Sequence, residues 1–324
     1  PGSNLKVVYT AMHGVGTKTL LSVFAAADFA TPILVSAQAD PDPDFPTISF
    51  PNPEESGSID LALQTAKNYD ADLVIANDPD ADRCAVAIKA NGSWRMLRGD
   101  EVGAILGESI ASAGATGTFA NSIVSSAILR KIANHYEINF AETLTGFKWL
   151  AKIPNLAFGY EEALGYCVDS AAVNDKDGIS AALKIVEIAS NLANSKSSLS
   201  HYLDEIWLKY GYHATAQVSL RVSDLSKITQ IMERFRNQIP TEIAGEKVSN
   251  FSDLARPENG LPATDCVRFW LGESARIIIR PSGTEPKIKC YIEVVKTGEV
   301  VAAKSAADSH LETLRHALAK LLVG

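Results

Sequence analysis

The chain has 324 residues, of which 46% are hydrophobic, and its formal net charge is −8 at pH 7. Because one domain averages about 150 residues, this length predicts two or three domains. The acidic balance and the lack of a basic stripe argue against nucleic acid and an anionic membrane as partners. No apolar run approaches the roughly 18 residues of a membrane span, and the N-terminus has no signal-peptide pattern. We therefore expect a cytoplasmic protein.

The first predicted domain covers residues 1–97. "LKVVYTAMHGVGTKTLLSVFAAADF" predicts a buried strand, a glycine turn and a helix. Because Pro1-Gly2-Ser3 lead directly into that strand, we expect a segment cut from a longer protein. "ADLVIAN" and "CAVAIKA" are two further strands, and they flank an aspartate-rich loop.

Two more domains are predicted, at residues 98–205 and 206–324. The second combines "GTFANSIVSSAILRKIANHY" with the helix "DGISAALKIVEIASNLANS", which indicates another α/β unit. The third contains the helix "DLSKITQIMERFRNQI", the hairpin "ARIIIRPSGTEPKIKCYIEVV" and the amphipathic helix "HLETLRHALAKLL". This order predicts an α+β domain. The four cysteines have no paired spacing, which favours reduced thiols over a zinc site or disulfides.

The loop "NDPDADR" carries the strongest chemical signal. Alternation along an extended chain would point Asp78, Asp80 and Asp82 to the same side. Three carboxylates at a strand end favour a divalent cation, and Mg²⁺ fits best because it prefers oxygen ligands and keeps some water. A calcium loop of the EF-hand type needs Gly where Arg83 stands and Glu where Lys89 stands, so that alternative fails.

A second aspartate triplet has the same spacing. Asp40, Asp42 and Asp44 lie in "ADPDPDFP", where the prolines indicate an exposed loop with no strand leading directly into it. We expect these three carboxylates to be solvated.

Three further motifs each have two interpretations. In "RPSGTEPKIK" the segment Arg280–Thr284 predicts either a phosphate cradle or an ordinary hairpin turn. In "GYEEALGY" the pair Glu161 and Glu162 suits binding of sugar hydroxyls, although a solvated pair is commoner. In "NDKDG", Lys176 is either a proton-transfer residue or a surface charge beside a helix N-cap at Asp177.

Together these motifs resemble the α-D-phosphohexomutases, the family of phosphoglucomutase and phosphomannomutase. Its members share an Asp-x-Asp-x-Asp-Arg metal loop, a Gly-Glu-x-Ser-type sugar loop and a terminal Arg-x-Ser-Gly-Thr phosphate loop. The matching segments here are residues 78–83, 161–165 and 280–284. "TLTGFKWL" also resembles a family segment that contacts the sugar phosphate, which implicates Thr145 and Gly146. Ala163 stands where many members have Ser, so glucose, mannose and pentose phosphates all stay open.

The resemblance implies a fold and a reaction. The expected fold is two successive α/β domains with mixed sheets, followed by an α+β C-terminal domain. The expected reaction moves a phosphoryl group between C1 and C6 of a hexose phosphate through a phosphoserine, with a sugar bisphosphate as intermediate and activator. By resemblance, Mg²⁺ is bound by Asp78, Asp80 and Asp82, while Arg83 and Lys176 are catalytic. The substrate-binding residues would be Thr145, Gly146, Glu161, Ala163, Arg280, Ser282, Gly283 and Thr284.

One family feature does not occur in these 324 residues. Members carry a Thr-Ala-Ser-His-Asn-Pro-like loop whose serine bears the exchanged phosphate, and no such loop occurs here. We therefore expect domains two to four of a mutase, inactive without an N-terminal domain of the same chain. The alternatives are phosphopentomutase-type activity and a non-catalytic sugar-phosphate-binding protein. A haloacid-dehalogenase-like phosphatase is disfavoured, because the threonine of that pattern is lacking near Asp78.

Overall fold

The computed structural model describes residues 5–90, 92–222, 224–258, 260–283 and 286–323. Its internal contacts divide it into two compact units, Pro1–Ile206 and Trp207–Gly324. The first unit contains two β-sheets and the second contains one large sheet.

The first sheet has five strands in the order β2-β1-β3-β4-β5. Its strands are Val7–Thr10 (β1), Ile33–Leu34 (β2), Leu73–Ala76 (β3), Ala85–Ala90 (β4) and Ser93–Met96 (β5). Strand β1 runs parallel to β2 and β3, whereas β4 is antiparallel to β3 and β5. The helices between these strands are Gly16–Ala26 (α1) and Asp60–Asn68 (α2). Strands β1 and β3 are buried along their whole length. Because they run parallel, the loops that leave their carboxyl ends meet at one edge of the sheet.

The second sheet has four strands in the order β7-β6-β8-β9. Its strands are Thr118–Ser122 (β6), Asn139–Thr143 (β7), Leu156–Glu161 (β8) and Gly165–Cys167 (β9). Strands β7 and β8 run parallel to β6, and β9 pairs antiparallel with β8. The helices here are Gly99–Ser112 (α3), Ile128–His135 (α4), Phe147–Leu150 (α5), Gly178–Asn194 (α6) and Leu199–Tyr210 (α7).

The second unit is built on an antiparallel six-stranded sheet in the order β10-β15-β14-β13-β12-β11. Its strands are Tyr212–Arg221 (β10), Glu242–Ile243 (β11), Glu246–Asp253 (β12), Val267–Leu271 (β13), Ala275–Pro281 (β14) and Lys287–Lys296 (β15). The remaining helices are Ser226–Asn237 (α8) and Val300–Val323 (α9). Helix α9 was predicted to be amphipathic, and it buries Leu311, Leu314 and Leu318.

The architecture confirms the predicted fold class. Two α/β portions with mixed sheets are followed by a C-terminal portion with an antiparallel sheet and helices. Within the described ranges, no helix is both long and apolar enough to span a bilayer.

Candidate active site

The aspartate loop leaves the carboxyl end of β3 and brings its three carboxylates together. One oxygen from each of Asp78, Asp80 and Asp82 lies within 4.8 Å of the others. Asp78 is buried, Asp82 is half-buried and Asp80 is exposed. The cluster is therefore open to solvent at Asp80 and enclosed by protein at Asp78.

The local conformation differs from the predicted one. The loop is a turn and not an extended segment, because the Ala81 N–H donates to the Asp78 carbonyl over 2.9 Å. Ala81 also has a φ of 59°, in the left-handed region that non-glycine residues rarely adopt. The carboxylates therefore converge because the chain folds back, and the argument from alternation was wrong.

Arg83 and Asp78 close this turn. The Arg83 N–H donates to Asp78 Oδ1 over 2.9 Å, and the Arg83 guanidinium Nε lies 3.4 Å from Asp78 Oδ2. Burial raises the pKa of Asp78 to about 6, against the lowering effect of the Arg83 N–H, and the charges of Asp82 and Asp80 raise it further. Asp78 is thus a carboxylate whose charge needs a cationic partner.

Lys176 reaches the same cluster from the segment before α6. Its Nζ lies 2.6 Å from Asp82 Oδ2, and its side chain is 23% exposed, so it is a half-buried charge paired with the cluster. Burial disfavours the charged form, but the hydrogen bond to Asp82 and the nearby carboxylates outweigh it and raise the pKa of Lys176. Asp177 is the N-cap of α6, accepting from the N–H groups of Ile179 and Ser180.

The donor set fits a hard cation. Carboxylate oxygens are the ligands that Mg²⁺ and Ca²⁺ prefer. In addition, Asp82 Oδ1 is buried and accepts no hydrogen bond from any described residue, although the Arg83 guanidinium Nε lies 3.8 Å from it, so its hydrogen-bonding capacity is not used. Asp78, Asp80 and Asp82 could therefore hold a metal ion.

The predicted sugar loop adjoins the aspartate loop. Cys84 donates its N–H to the Leu164 carbonyl over 3.0 Å, and Arg83 forms an isolated β-bridge with Gly165. At the other end of the sugar loop, Glu161 Oε1 accepts the Gly146 N–H over 2.6 Å. This hydrogen bond joins the "TLTGFKWL" and "GYEEALGY" segments, each of which was predicted to bind substrate. Thr145 and Ala163 are both half-buried beside it.

The predicted phosphate loop lies in the second unit and is described by itself. Arg280 is near the end of β14, and the Ser282 N–H donates to the Lys287 carbonyl over 2.8 Å, so strands β14 and β15 form a hairpin. Among the described residues, no carboxylate forms an ion pair with Arg280, and Gly283 is exposed with open space around it. Thr284 lies outside the described residues. The hairpin is confirmed, while phosphate binding stays a prediction.

Known protein families provide the deciding comparison. Three sequence models of phosphoglucomutase/phosphomannomutase domains match the chain: α/β/α domain II at residues 1–92, α/β/α domain III at residues 98–210 and the C-terminal domain at residues 218–307. The chain belongs to the phosphoglucomutase/phosphomannomutase family.

Individual members of this family give the same picture. The chain is 47% identical over 296 residues to the Haemophilus influenzae protein named "Probable phosphomannomutase", covering 90% of this chain and 60% of that protein. It is 38% identical over 328 residues to human phosphopentomutase, covering 90% and 53%. The solved structure of parafusin, a phosphoglucomutase from Paramecium, shares the fold with a TM-score of 0.70 at 22% identity, over 96% of this chain and 58% of that one. The chain thus spans between half and two thirds of the length of the relatives it matches.

Glu162 of this phosphoglucomutase/phosphomannomutase chain has partners that sequence reasoning missed. Its Oε2 accepts the hydroxyls of Ser122 and Ser125 over 3.2 and 3.1 Å, and its N–H donates to Ser125 Oγ over 3.1 Å. Burial raises the pKa of Glu162 to about 7, and the charges of Asp100 and Glu161 add to this. The solvated-pair interpretation was therefore wrong. "SIVSSAI" at the end of β6 was the only signal, and nothing in it specifies a partner some 37 residues away.

Proposed function

We propose that this family member works as a metal-dependent phosphosugar mutase, an isomerase that moves a phosphoryl group between C1 and C6 of glucose or mannose phosphate. The observation that supports it best is one juxtaposition. The Asp78–Arg83 loop, Lys176 and the loop of Glu161 adjoin one another in a single unit. A cation site, a proton carrier and a sugar-hydroxyl acceptor are the parts that this reaction requires.

In the proposed mechanism, Asp78, Asp80 and Asp82 hold Mg²⁺. When bound, the ion neutralises charge that develops on the transferring phosphoryl group. Arg83 keeps Asp78 oriented through its N–H and presents a guanidinium beside the cluster. Lys176 holds a proton at Nζ, next to Asp82, and is our proposed proton donor to the sugar oxygen.

Recognition of the sugar is assigned to other side chains. Glu161 is a fixed acceptor for sugar hydroxyls because the Gly146 N–H holds one of its oxygens, and Thr145 and Ala163 are proposed to contact the sugar as well. Arg280, with Ser282, Gly283 and Thr284, would bind the phosphate that is not reacting, because a guanidinium forms bidentate bonds to phosphate. A sugar bisphosphate would serve as intermediate and activator.

The phosphoryl donor is proposed to lie outside these residues. None of the 324 residues forms the Thr-Ala-Ser-His-Asn-Pro-like loop that carries the family's phosphoserine. We propose that an N-terminal domain of the whole protein contributes this serine. The 324 residues alone should then bind a phosphosugar weakly without turning it over.

A coupled assay tests the proposal. The 324-residue chain and the whole protein are each given glucose 1-phosphate or mannose 1-phosphate, Mg²⁺ and catalytic sugar bisphosphate. We expect turnover by the whole protein and none by the 324 residues. Robust turnover by the 324 residues would contradict the assignment of the donor, and absence of both binding and turnover in the whole protein would contradict the function and favour a different ligand.

Substitution of Arg280 separates the two interpretations of the hairpin. Arg280→Ala should weaken glucose 1-phosphate binding by about 1.5–3 kcal/mol, because a charge-assisted contact is lost. The matched control is Arg315→Ala, which removes an exposed arginine that pairs with Glu312 on α9 of the same unit. Normal affinity in Arg280→Ala, measured by calorimetry, would leave an ordinary turn.

Phosphopentomutase activity is the second candidate. It is favoured by the 38% identity to human phosphopentomutase and by Ala163, which lacks the hydroxyl that many family members present to the sugar. Ribose 1-phosphate added to the same assay distinguishes the two. A higher kcat/KM for the pentose phosphate would replace the hexose proposal.

A further inference from the structure

Asn77 precedes the aspartate loop and is fully buried. Its side-chain amide makes two hydrogen bonds in opposite directions. The amide Oδ1 accepts the Tyr9 hydroxyl over 2.8 Å, and the amide Nδ2 donates to the Arg83 carbonyl over 2.6 Å. One side chain thus connects the neighbouring strand β1 to the last residue of the loop.

An amide side chain satisfies this pair of bonds. Only Asn and Gln offer both a carbonyl acceptor and an N–H donor at the end of one side chain. Burial raises the pKa of Tyr9 far above its ordinary value, so its hydroxyl keeps the proton that it donates. Tyr9 therefore fixes which side of the amide faces Arg83.

The Asn77–Arg83 bond closes the aspartate loop at its base. With Arg83 held, its N–H lies 2.9 Å from Asp78 Oδ1, and the three carboxylates stay within 4.8 Å of one another. Carboxylates that close repel each other when no cation is bound, so the chain must hold them together by other contacts. The Asn77 amide is a contact of that kind, outside the carboxylates themselves.

The start of α6 packs on the same amide. A Cβ on Gly178 would lie 2.2 Å from the Arg83 carbonyl oxygen and 2.6 Å from Asn77 Nδ2. The Gly178 N–H also donates to the Ala81 carbonyl over 3.0 Å. Because Lys176 is two residues before Gly178, the position of the loop also sets the backbone position of Lys176.

We propose that Asn77 is a positioning residue, oriented by Tyr9, that holds the Asp78–Arg83 loop closed for a divalent cation and fixes the approach of Lys176 to that loop. The proposal rests on the metal role given to the loop under the proposed function. Asn77 itself contacts neither the cation nor the substrate. It acts through the Arg83 backbone.

A matched asparagine exists in the second sheet. Asn121 in β6 is also buried, and its Nδ2 donates to the Ser126 carbonyl over 2.8 Å, which closes a different loop. If Asn77 had only a structural role, replacing either asparagine would lower stability and neither replacement would change Mg²⁺ binding. Asn121→Ala is therefore the control for Asn77→Ala.

The experiment measures Mg²⁺ binding by calorimetry, thermal unfolding without metal, and backbone amide exchange, all on the 324-residue chain. We expect both alanine variants to lower the Tm by similar amounts. Only Asn77→Ala should weaken Mg²⁺ binding, by tenfold or more. It should also speed exchange of the Arg83 and Gly178 amides in the metal-free protein, which Asn121→Ala should leave unchanged.

Tyr9→Phe keeps the test decisive if Asn77→Ala does not fold. It removes one hydroxyl, so we expect Mg²⁺ binding two- to fivefold weaker and faster exchange at Arg83. Wild-type Mg²⁺ affinity and wild-type exchange in Tyr9→Phe, or in a folded Asn77→Ala, would overturn the proposal. If the wild-type chain binds no Mg²⁺, the proposed function fails, and exchange at Arg83 still decides whether Asn77 holds the loop.

Discussion

Two aspartate triplets with identical spacing behave differently in this molecule. Asp78, Asp80 and Asp82 place carboxylate oxygens within 4.8 Å of one another, whereas no such group forms at Asp40, Asp42 and Asp44 among the described residues. In the triplet of Asp40, Asp42 and Asp44, the first and last side chains are exposed, and Asp42 Oδ1 accepts the Asp44 N–H over 3.0 Å. Asp42 thus stabilises a local turn, while Asp40 and Asp44 face solvent.

The difference comes from contacts that are distant in sequence. The triplet at Asp78 begins where the buried strand β3 ends and is closed by Asn77, Arg83 and the start of α6. The triplet at Asp40 follows a single 3₁₀ turn at Ser36–Gln38 and contacts its surroundings through the Asp42 N–H, which donates to the His13 carbonyl. The spacing of the aspartates therefore provides the carboxylate oxygens, but only a loop closed by distant contacts brings them close enough to form a site.

Removing the carboxylates should give the largest effect. Replacing Asp78, Asp80 and Asp82 together with Asn keeps the side-chain shape but removes three negative charges, so we expect calorimetry to detect no Mg²⁺ binding. The same triple change at Asp40, Asp42 and Asp44 is the control and should leave the Mg²⁺ affinity at the wild-type value. Equal losses in the two variants would mean that bulk charge, and not the folded loop, attracts the ion.

Disturbing the closure without touching a carboxylate should give the next largest effect. In Gly178→Ala the new Cβ would meet the carbonyl oxygens of Arg83 and Ala81 at 2.2 and 2.7 Å, and backbone cannot move aside cheaply. We expect a loss of about 1–3 kcal/mol in the free energy of unfolding and Mg²⁺ binding about tenfold weaker. Ser180→Ala, in the same turn of α6, is the control. Wild-type stability in Gly178→Ala by urea unfolding would contradict the packing described here.

Lowering the pH should weaken Mg²⁺ binding at the Asp78 triplet by a smaller amount than these substitutions do. Because burial raises the pKa of Asp78 to about 6, protons compete with Mg²⁺ below that pH, and the apparent Kd should rise by up to about tenfold per pH unit. The metal-free protein follows the opposite sign. Between about pH 4 and 6 the folded state binds more protons than the unfolded state, so its stability falls as pH rises.

Variants separate this effect from general acid sensitivity. Asp78→Asn should flatten the slope of stability against pH in urea unfolding, whereas Asp44→Asn should keep it. A Kd for Mg²⁺ that is constant from pH 7 to pH 5 in the wild-type protein would show that Asp78 is already ionised at pH 5.

Sequence reasoning found the elements but not the contacts that make the site. Hydrophobic periodicity was sufficient for β1, α1, β3 and the β14–β15 hairpin, because each has a local pattern. The left-handed turn at Ala81 has no such pattern, since no glycine or asparagine marks it. Tyr9 and Asn77 are 68 residues apart, and only the pairing of β1 with β3 brings them together. Long-range polar partners of this kind depend on the folded topology, and one sequence does not reveal them.

The smallest expected effect concerns Lys176, and its sign is informative. The Nζ of Lys176 is 2.6 Å from Asp82 Oδ2, so the ammonium occupies part of the coordination space of that carboxylate. Lys176→Met keeps much of the side-chain length but removes the charge. We therefore expect Mg²⁺ to bind two- to fivefold more tightly, with a stability loss of at most about 1 kcal/mol, because the pair is partly exposed. Lys184→Met is the control, since Lys184 pairs with Glu187 on α6 away from the triplet. Weaker Mg²⁺ binding in Lys176→Met would mean that the lysine holds Asp82 in place for the cation instead of competing with it.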